Sequence, residues 1–287
     1  MRMTVIALVA VAAQAQNPLL RHYRPGERLI YHMKGVNEQW RYEADAEGVV
    51  KKAADGTFFE EYVWSNFLSG GQKAVLSSAT LNFRQEVTLD PDRKQAFPNL
   101  SQADPRLVGP LTDFLTFYVD LWLAAKTGRL LRPGDHFYFQ RGTPNSWADG
   151  TQVLAAQSSI DFDLSFEALD RSANTATVVV RHVPPEQPQL DLPADWMRTP
   201  VTGGANNWFQ VKKRKDGKYD ATVGRETFDV TLKVSATDGR ILSAIMENTV
   251  VTAGRECGDA ALHSCGEAKP HTISRHIEIG LVLIGDR

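Results

Sequence analysis

Asp161 and Asp163 are the two side chains of this 287-residue chain whose spacing comes nearest to acid–base chemistry. On an extended strand they share one face with roughly 6.6–6.8 Å between Cα atoms, within the separation an inverting glycosidase keeps between its two carboxyl groups. They oppose Phe162 and Leu164, however, so the pair falls on the wet side of the strand and a solvated ladder is the favoured reading. Glu60 and Glu61 are adjacent, which sends their side chains to opposite faces and prevents joint action. The remaining candidates for acid or base work are Glu60, His136 and Asp149.

The seven histidines show no chelating pattern. His182 shares a face with Val178 and Val180, where a hydrogen-bonded core histidine is the ordinary outcome. His276 falls with Ser274 and Glu278 on an exposed ladder, and His136 with Tyr138 and Gln140 on a mixed face suited to a cavity mouth. Cys257 and Cys265, the only cysteines, stand eight positions apart in a loop-like stretch. A disulfide worth about 2–3 kcal/mol is favoured over a zinc site shared with His263 and His271, because structural zinc sites place their cysteines closer together. No metal and no cofactor is expected. The chain lacks Gly-x-Ser-x-Gly, His-Glu-x-x-His, Ser-x-x-Lys, a phosphate loop and Gly-x-Gly-x-x-Gly, which removes the common hydrolase and nucleotide classes. With 32 Lys and Arg against 34 Asp and Glu, no nucleic-acid partner is expected. The basic run Lys212 to Lys215 meets Asp216-Gly217 and reads as a solvated hairpin tip.

The elements that must position these residues are mostly strands. Period-two alternation marks 81–87, 160–168, 227–234 and 273–281, each with one apolar and one polar face, the signature of antiparallel sheets. Asp55-Gly56, Asp149-Gly150, Asp216-Gly217 and Asp238-Gly239 supply hairpin turns. One helix is predicted from Pro110 to Thr127, with proline at its first turn and Gly128 as its stop. Its stripe of Leu111, Phe114, Leu115, Tyr118, Leu121, Trp122 and Ala125 spreads through Phe117, Val119 and Leu123 around most of the cylinder, leaving Asp113, Thr116 and Asp120 as a narrow polar edge. Such a helix must be buried.

Residues 1–15 read as a signal peptide: a basic start at Arg2, an apolar run from Thr4 to Ala13, and the small-x-small site Ala13-Gln14-Ala15. Cleavage after Ala15 predicts a periplasmic or secreted protein without a transmembrane segment, and no cysteine follows to carry a lipid anchor. Residues 16–287 then form a single domain. Within it, Arg24-Pro25-Gly26-Glu27 returns as Arg132-Pro133-Gly134-Asp135, so that duplication beginning near 24 and 132 and independent turn chemistry are both open. The segment 184–205 carries five prolines with Leu190, Leu192, Trp196 and Met197, a lid or a cover over core.

The opening Tyr23-Arg24-Pro25-Gly26-Glu27-Arg28-Leu29-Ile30-Tyr31, the single buried helix and the Asp-Gly meander resemble uncharacterised periplasmic families of lipocalin-like half-barrels and, more distantly, the lipoprotein-localisation carriers. The resemblance implies a mainly β fold, a strongly curved antiparallel sheet or partial barrel of about ten to twelve strands wrapped around one buried helix. It also implies an apolar ligand, a lipid or lipidated segment, in the cell envelope; the aromatic surplus of Trp40, Trp64, Phe114, Tyr118 and Trp122 at concave positions, with Trp196 and Met197 of the proline-rich segment, marks the expected contacts between sheet and helix. The alternative is a secreted hydrolase of glycans or esters using Glu60, His136 or Asp149 at the barrel mouth, with Trp64, Trp147 and Trp196 as sugar platforms.

Overall fold

The computed structural model describes residues 17–100, 103–140, 145–148, 153–157, 160–186 and 190–282, the stretches 145–148 and 153–157 as backbone only. The predicted signal peptide, the predicted Asp149-Gly150 turn and the side chain of Trp147 therefore lie outside the described residues. The strands are β1 (Arg28–Asn37), β2 (Trp40–Lys52), β3 (Phe58–Ser69), β4 (Gln72–Lys73), β5 (Gln85–Val87), β6 (His136–Gln140) and β7 (Asn145–Ala148). They continue as β8 (Val153–Gln157), β9 (Asp161–Asp170), β10 (Thr175–Val183), β11 (Trp208–Lys213), β12 (Tyr219–Ser235), β13 (Ile241–Cys257) and β14 (Lys269–Leu281). All belong to one antiparallel sheet in the order β4-β3-β2-β1-β14-β13-β12-β10-β9-β6, with β5 beside β3 and a branch β12-β11-β8-β7. Among the described residues its two ends, β4 and β6, do not pair with each other. The protein is mainly β, as predicted, and only the two- and three-residue fragments β4 and β5 carry the strand number beyond the expected ten to twelve.

Alternation places the core. Phe162, Leu164 and Phe166 of β9, Val230, Leu232 and Val234 of β12 and Ile277 and Ile279 of β14 are buried on one face. The turns at Gly56, Gly217 and Gly239 take positive φ, which glycine adopts without penalty. The strand predicted over 81–87 is instead a short helix α1 (Ser78–Leu81) followed by β5, because the Ser77 side chain accepts from Thr80 N and caps a helical turn. The two Pro-Gly turns make the same bonds: Gly26 N donates to Val50 O and Val50 N to Glu27 O, while Gly134 N donates to Phe166 O and Phe166 N to Asp135 O.

The long helix α2 (Val108–Lys126) begins two residues before the predicted start and packs on that core face. Pro105–Lys126 is long and apolar enough to cross a bilayer by length and composition, and most of it is buried against the sheet. The polar edge predicted for it is corrected: Asp113 and Asp120 are buried, and only Thr116 of the three is partly open. Trp122 is half-buried rather than part of the core stripe, its indole donating to Asp90 O at 2.9 Å under the Lys126 ammonium.

A second core lies on the opposite face. On β12, Ala221 and Val223 are an odd number of residues from Val230 and Leu232, so they point away from α2. There they meet Leu192, Ala194 and Met197 of the proline-rich segment and Leu262 of the loop closed by the Cys257–Cys265 disulfide. Asn206 fastens that segment, donating to Met197 O and Thr199 O and accepting from Val201 N. Met197 is fully buried, so Met197→Ala is expected to cost about 2–5 kcal/mol through the cavity it leaves. Urea denaturation checks this; a loss below about 0.5 kcal/mol would mean that the segment lies loosely on the sheet.

Candidate functional site

Three polar side chains of α2, Asp113, Tyr118 and Asp120, bind the sheet, and Gln85 of β5 donates to the Leu111 carbonyl of the helix at 2.8 Å. Asp113 and Asp120, seven residues apart, fall on nearly one line down the helix. Asp113 accepts two bonds from Arg275 Nη2 of β14, both 2.6 Å, and one from the Tyr42 hydroxyl of β2 at 3.0 Å. Arg275 Nη1 also donates to Asn248 Oδ1 of β13, and Asn248 Nδ2 donates to Glu226 Oε1 of β12. Asp120 meets His182 Nε2 of β10 through both oxygens, at 2.8 and 2.9 Å, and the imidazole lies between the rings of Phe162 and Phe228.

On the other side of the helix, the Tyr118 hydroxyl donates to Glu60 Oε2 of β3 at 2.5 Å, and the Tyr62 hydroxyl donates to the same oxygen at 2.7 Å. Glu60 Oε1 faces Arg21 Nε at 3.4 Å, and Arg21 is joined to Glu27 at 2.6 Å. The segment before β1 thus enters the core, with Leu19 fully buried and Asn17 Nδ2 donating to the Ala125 carbonyl at the end of α2.

Burial dominates the electrostatics. It pushes the carboxyls of Asp113 and Asp120 up, against the pull of Arg275 and His182, and it raises Glu226 against its bond from Asn248. Burial, reinforced by the charge of Glu60, also raises the Tyr62 and Tyr118 hydroxyls, which remain protonated donors. Apart from Arg275 Nε, which is buried without a partner, these groups are paired and hold the helix in one seat.

The expected site residues divide among three places. Trp64, Phe114 and Tyr118 are brought together: Phe114 packs edge-on against Tyr62 at 4.9 Å and Trp64 at 5.4 Å, and lies 5.0 Å from Tyr118 between ring centroids. Trp40 and Trp122 flank this wall half-buried, Trp40 donating to Ser69 Oγ at 3.0 Å. Trp196 and Met197 belong to the second core on the other face, with the Arg255 guanidinium 4.7 Å above the Trp196 ring.

The hydrolase candidates do not converge. Glu60 is sealed under α2, whereas His136 projects from the opposite face of the sheet, beside Asp163, which also meets Arg181 at 3.7 Å. Asp149 lies outside the described residues. Asp161 departs from the solvated reading: it is buried and accepts from the Tyr138 hydroxyl at 2.8 Å. Among the described residues no group of three or more His, Cys, Asp or Glu is placed to hold a metal ion.

Arg21, Glu226, Asn248 and Arg275 escaped the sequence reading. Arg275 carried a usable signal, since it has the parity of Ile273, Ile277 and Ile279 and therefore had to point inward. No family model, no curated protein and no solved structure matches the chain.

Proposed function

We propose that the chain is an exported binding protein that takes an apolar ligand, a lipid or a lipidated segment, between sheet and α2, with the sheet curving as a partial barrel about the helix. The observation that carries this reading is the way α2 is held. On its inward side Phe114 meets a wall of Tyr31, Tyr62 and Trp64 from the sheet, while Thr112 and Lys126 on its other side are exposed. Side-chain tethers, rather than a ladder of backbone bonds, fix it in place. A helix so held is displaced as a unit, uncovering an aromatic wall edged by Glu60, His182 and Arg275. Phe114, Phe117, Tyr118 and Leu121 are fully buried, so a ligand enters by taking the place of the helix. The Cys257–Cys265 disulfide is compatible with an oxidising compartment.

The test uses the neutral probe N-phenyl-1-naphthylamine. Wild-type protein is expected to bind it saturably, and Asp120→Asn, which loosens one tether, is expected to bind it more tightly. Each 1.4 kcal/mol removed from the closed state raises the competent fraction about tenfold. No saturable binding, together with an organic extract of the native protein that holds no apolar molecule, would overturn the reading. Turnover of model glycosides or esters by a chain that binds no probe would favour the hydrolase instead. A native mature mass beginning at Gln16 is expected, and an intact Met1 would remove the export step.

A further inference from the structure

A groove of about 390 Å³ crosses β1, β14, β13 and β12 on the face of the sheet turned away from α2. Its position follows from register. His32, Gly280, Ser243 and Lys233 form one row across the four strands, and Lys34, Glu278, Ile245 and Thr231 form the next. All alternate with inward residues such as Met33, Ile279, Ala244 and Leu232, so their side chains stand on the outer face.

Gly280 makes the floor. Glycine within a strand costs stability and marks a bulge or a close approach. At Gly35 and Gly48 the approach is visible, since an added Cβ would lie 2.1 Å from the Tyr42 ring and 2.3 Å from the Tyr62 ring. At Gly280 a Cβ would meet nothing within 4 Å, and no positive φ demands glycine there. The space above this glycine is open, so in the outer row of β14 it leaves a shallow floor between His32 and Ser243.

The lining states the chemistry. His32 is committed to Asp45 at 2.7 Å and Glu43 at 3.5 Å. Lys34 and Lys233 have no carboxylate within 4.0 Å among the described residues. Lys34 stands opposite Glu43 and Glu278 in register, which leaves Lys233, opposite Ser243 and Thr177, as the cation with no acid across from it. Ser243 and Thr231 add hydroxyls, and Ile245, 43% exposed, adds an apolar wall.

We propose that this groove binds a monoanionic amphiphile, a carboxylate with a short hydrocarbon tail, its head at Lys233 and Ser243 and its tail over Gly280 against Ile245. The site is separate from the helix interface and does not depend on it. Decanoate, titrated into the full chain and followed by amide NMR, tests it.

Saturable shifts at Gly280, Ser243 and Ile245 are expected. Gly280→Val, which fills the floor without a clash, should weaken binding at least about tenfold at an unchanged melting temperature. Lys233→Gln should weaken it through loss of the charge-assisted bond, and decanol should fail to compete. Unshifted amides in these strands, or Gly280→Val binding decanoate as the wild type does, would overturn the proposal. Shifts confined to α2 would do the same while supporting the helix-interface reading.

Discussion

Arg275→Met is expected to lower the unfolding free energy by about 3–5 kcal/mol, measured by urea denaturation at neutral pH. The arginine side chain is 18% exposed and that of Asp113 is 4% exposed, so the two oxygens bonded to Arg275 have little access to water. Removing the cation leaves Asp113 buried with one remaining donor, the Tyr42 hydroxyl. It also frees Asn248 Oδ1, which otherwise accepts from Arg275. The cost is that of an uncompensated buried charge, and it is relieved when the charge is removed as well. The double variant Asp113→Leu with Arg275→Met should therefore recover a large part of the loss, since a buried ion pair replaced by apolar groups of similar volume is often neutral. A single variant within about 1 kcal/mol of wild type would show that water reaches Asp113 and that α2 is not fastened at this point.

Most of what could be read in the sequence was local. Alternation in 160–168, 227–234 and 273–281 and the Asp-Gly turns depend on neighbours a few residues apart, and the three strands and the turns at Gly56, Gly217 and Gly239 emerged as read. Where alternation failed, in 81–87, a serine cap outweighed it, and such a cap is itself readable from Ser77 before a short apolar turn. The tethers were harder. Asp113 reads as solvated because an acid on an apolar helix usually marks its wet edge, and its partner Arg275 is 162 positions away. No local pattern joins them. What the pattern does contain is the exception on each strand: Glu60 at the parity of Tyr62 and Trp64, His182 at that of Val178 and Val180, Arg275 at that of Ile277 and Ile279. A polar residue on an otherwise apolar face needs a partner across the core. The single element crossing this core, α2, carries the partner residues Asp113, Tyr118 and Asp120. Reading those parities together would have located the helix seat. The second core was less accessible, because Met197 packs against a face of β12 that alternation assigns to solvent farther along the same strand.

Phe114→Ala is expected to cost about 3–5 kcal/mol, and it tests the helix interface in a way the charge variants do not. Phe114 is fully buried and packs against Tyr31, Tyr62, Trp64 and Tyr118 at centroid distances of 4.9–5.7 Å. Those four rings are held from outside by their own polar ends: Tyr31 to Ile241 O, Tyr62 and Tyr118 to Glu60, and Trp64 to Gln85 Oε1. They cannot easily collapse inward, so truncation should leave a rigid apolar cavity rather than a healed core. Two outcomes follow. Benzene should restore part of the lost stability, by an amount that grows with its concentration as mass action requires. N-phenyl-1-naphthylamine should bind the variant more tightly than the wild type, because the side chain removed is one the ligand must otherwise displace together with the helix. A loss of stability with no rescue by benzene would mean that the wall relaxes into the gap. Rescue by benzene with unchanged affinity for the larger probe would place ligand binding elsewhere than between α2 and the sheet.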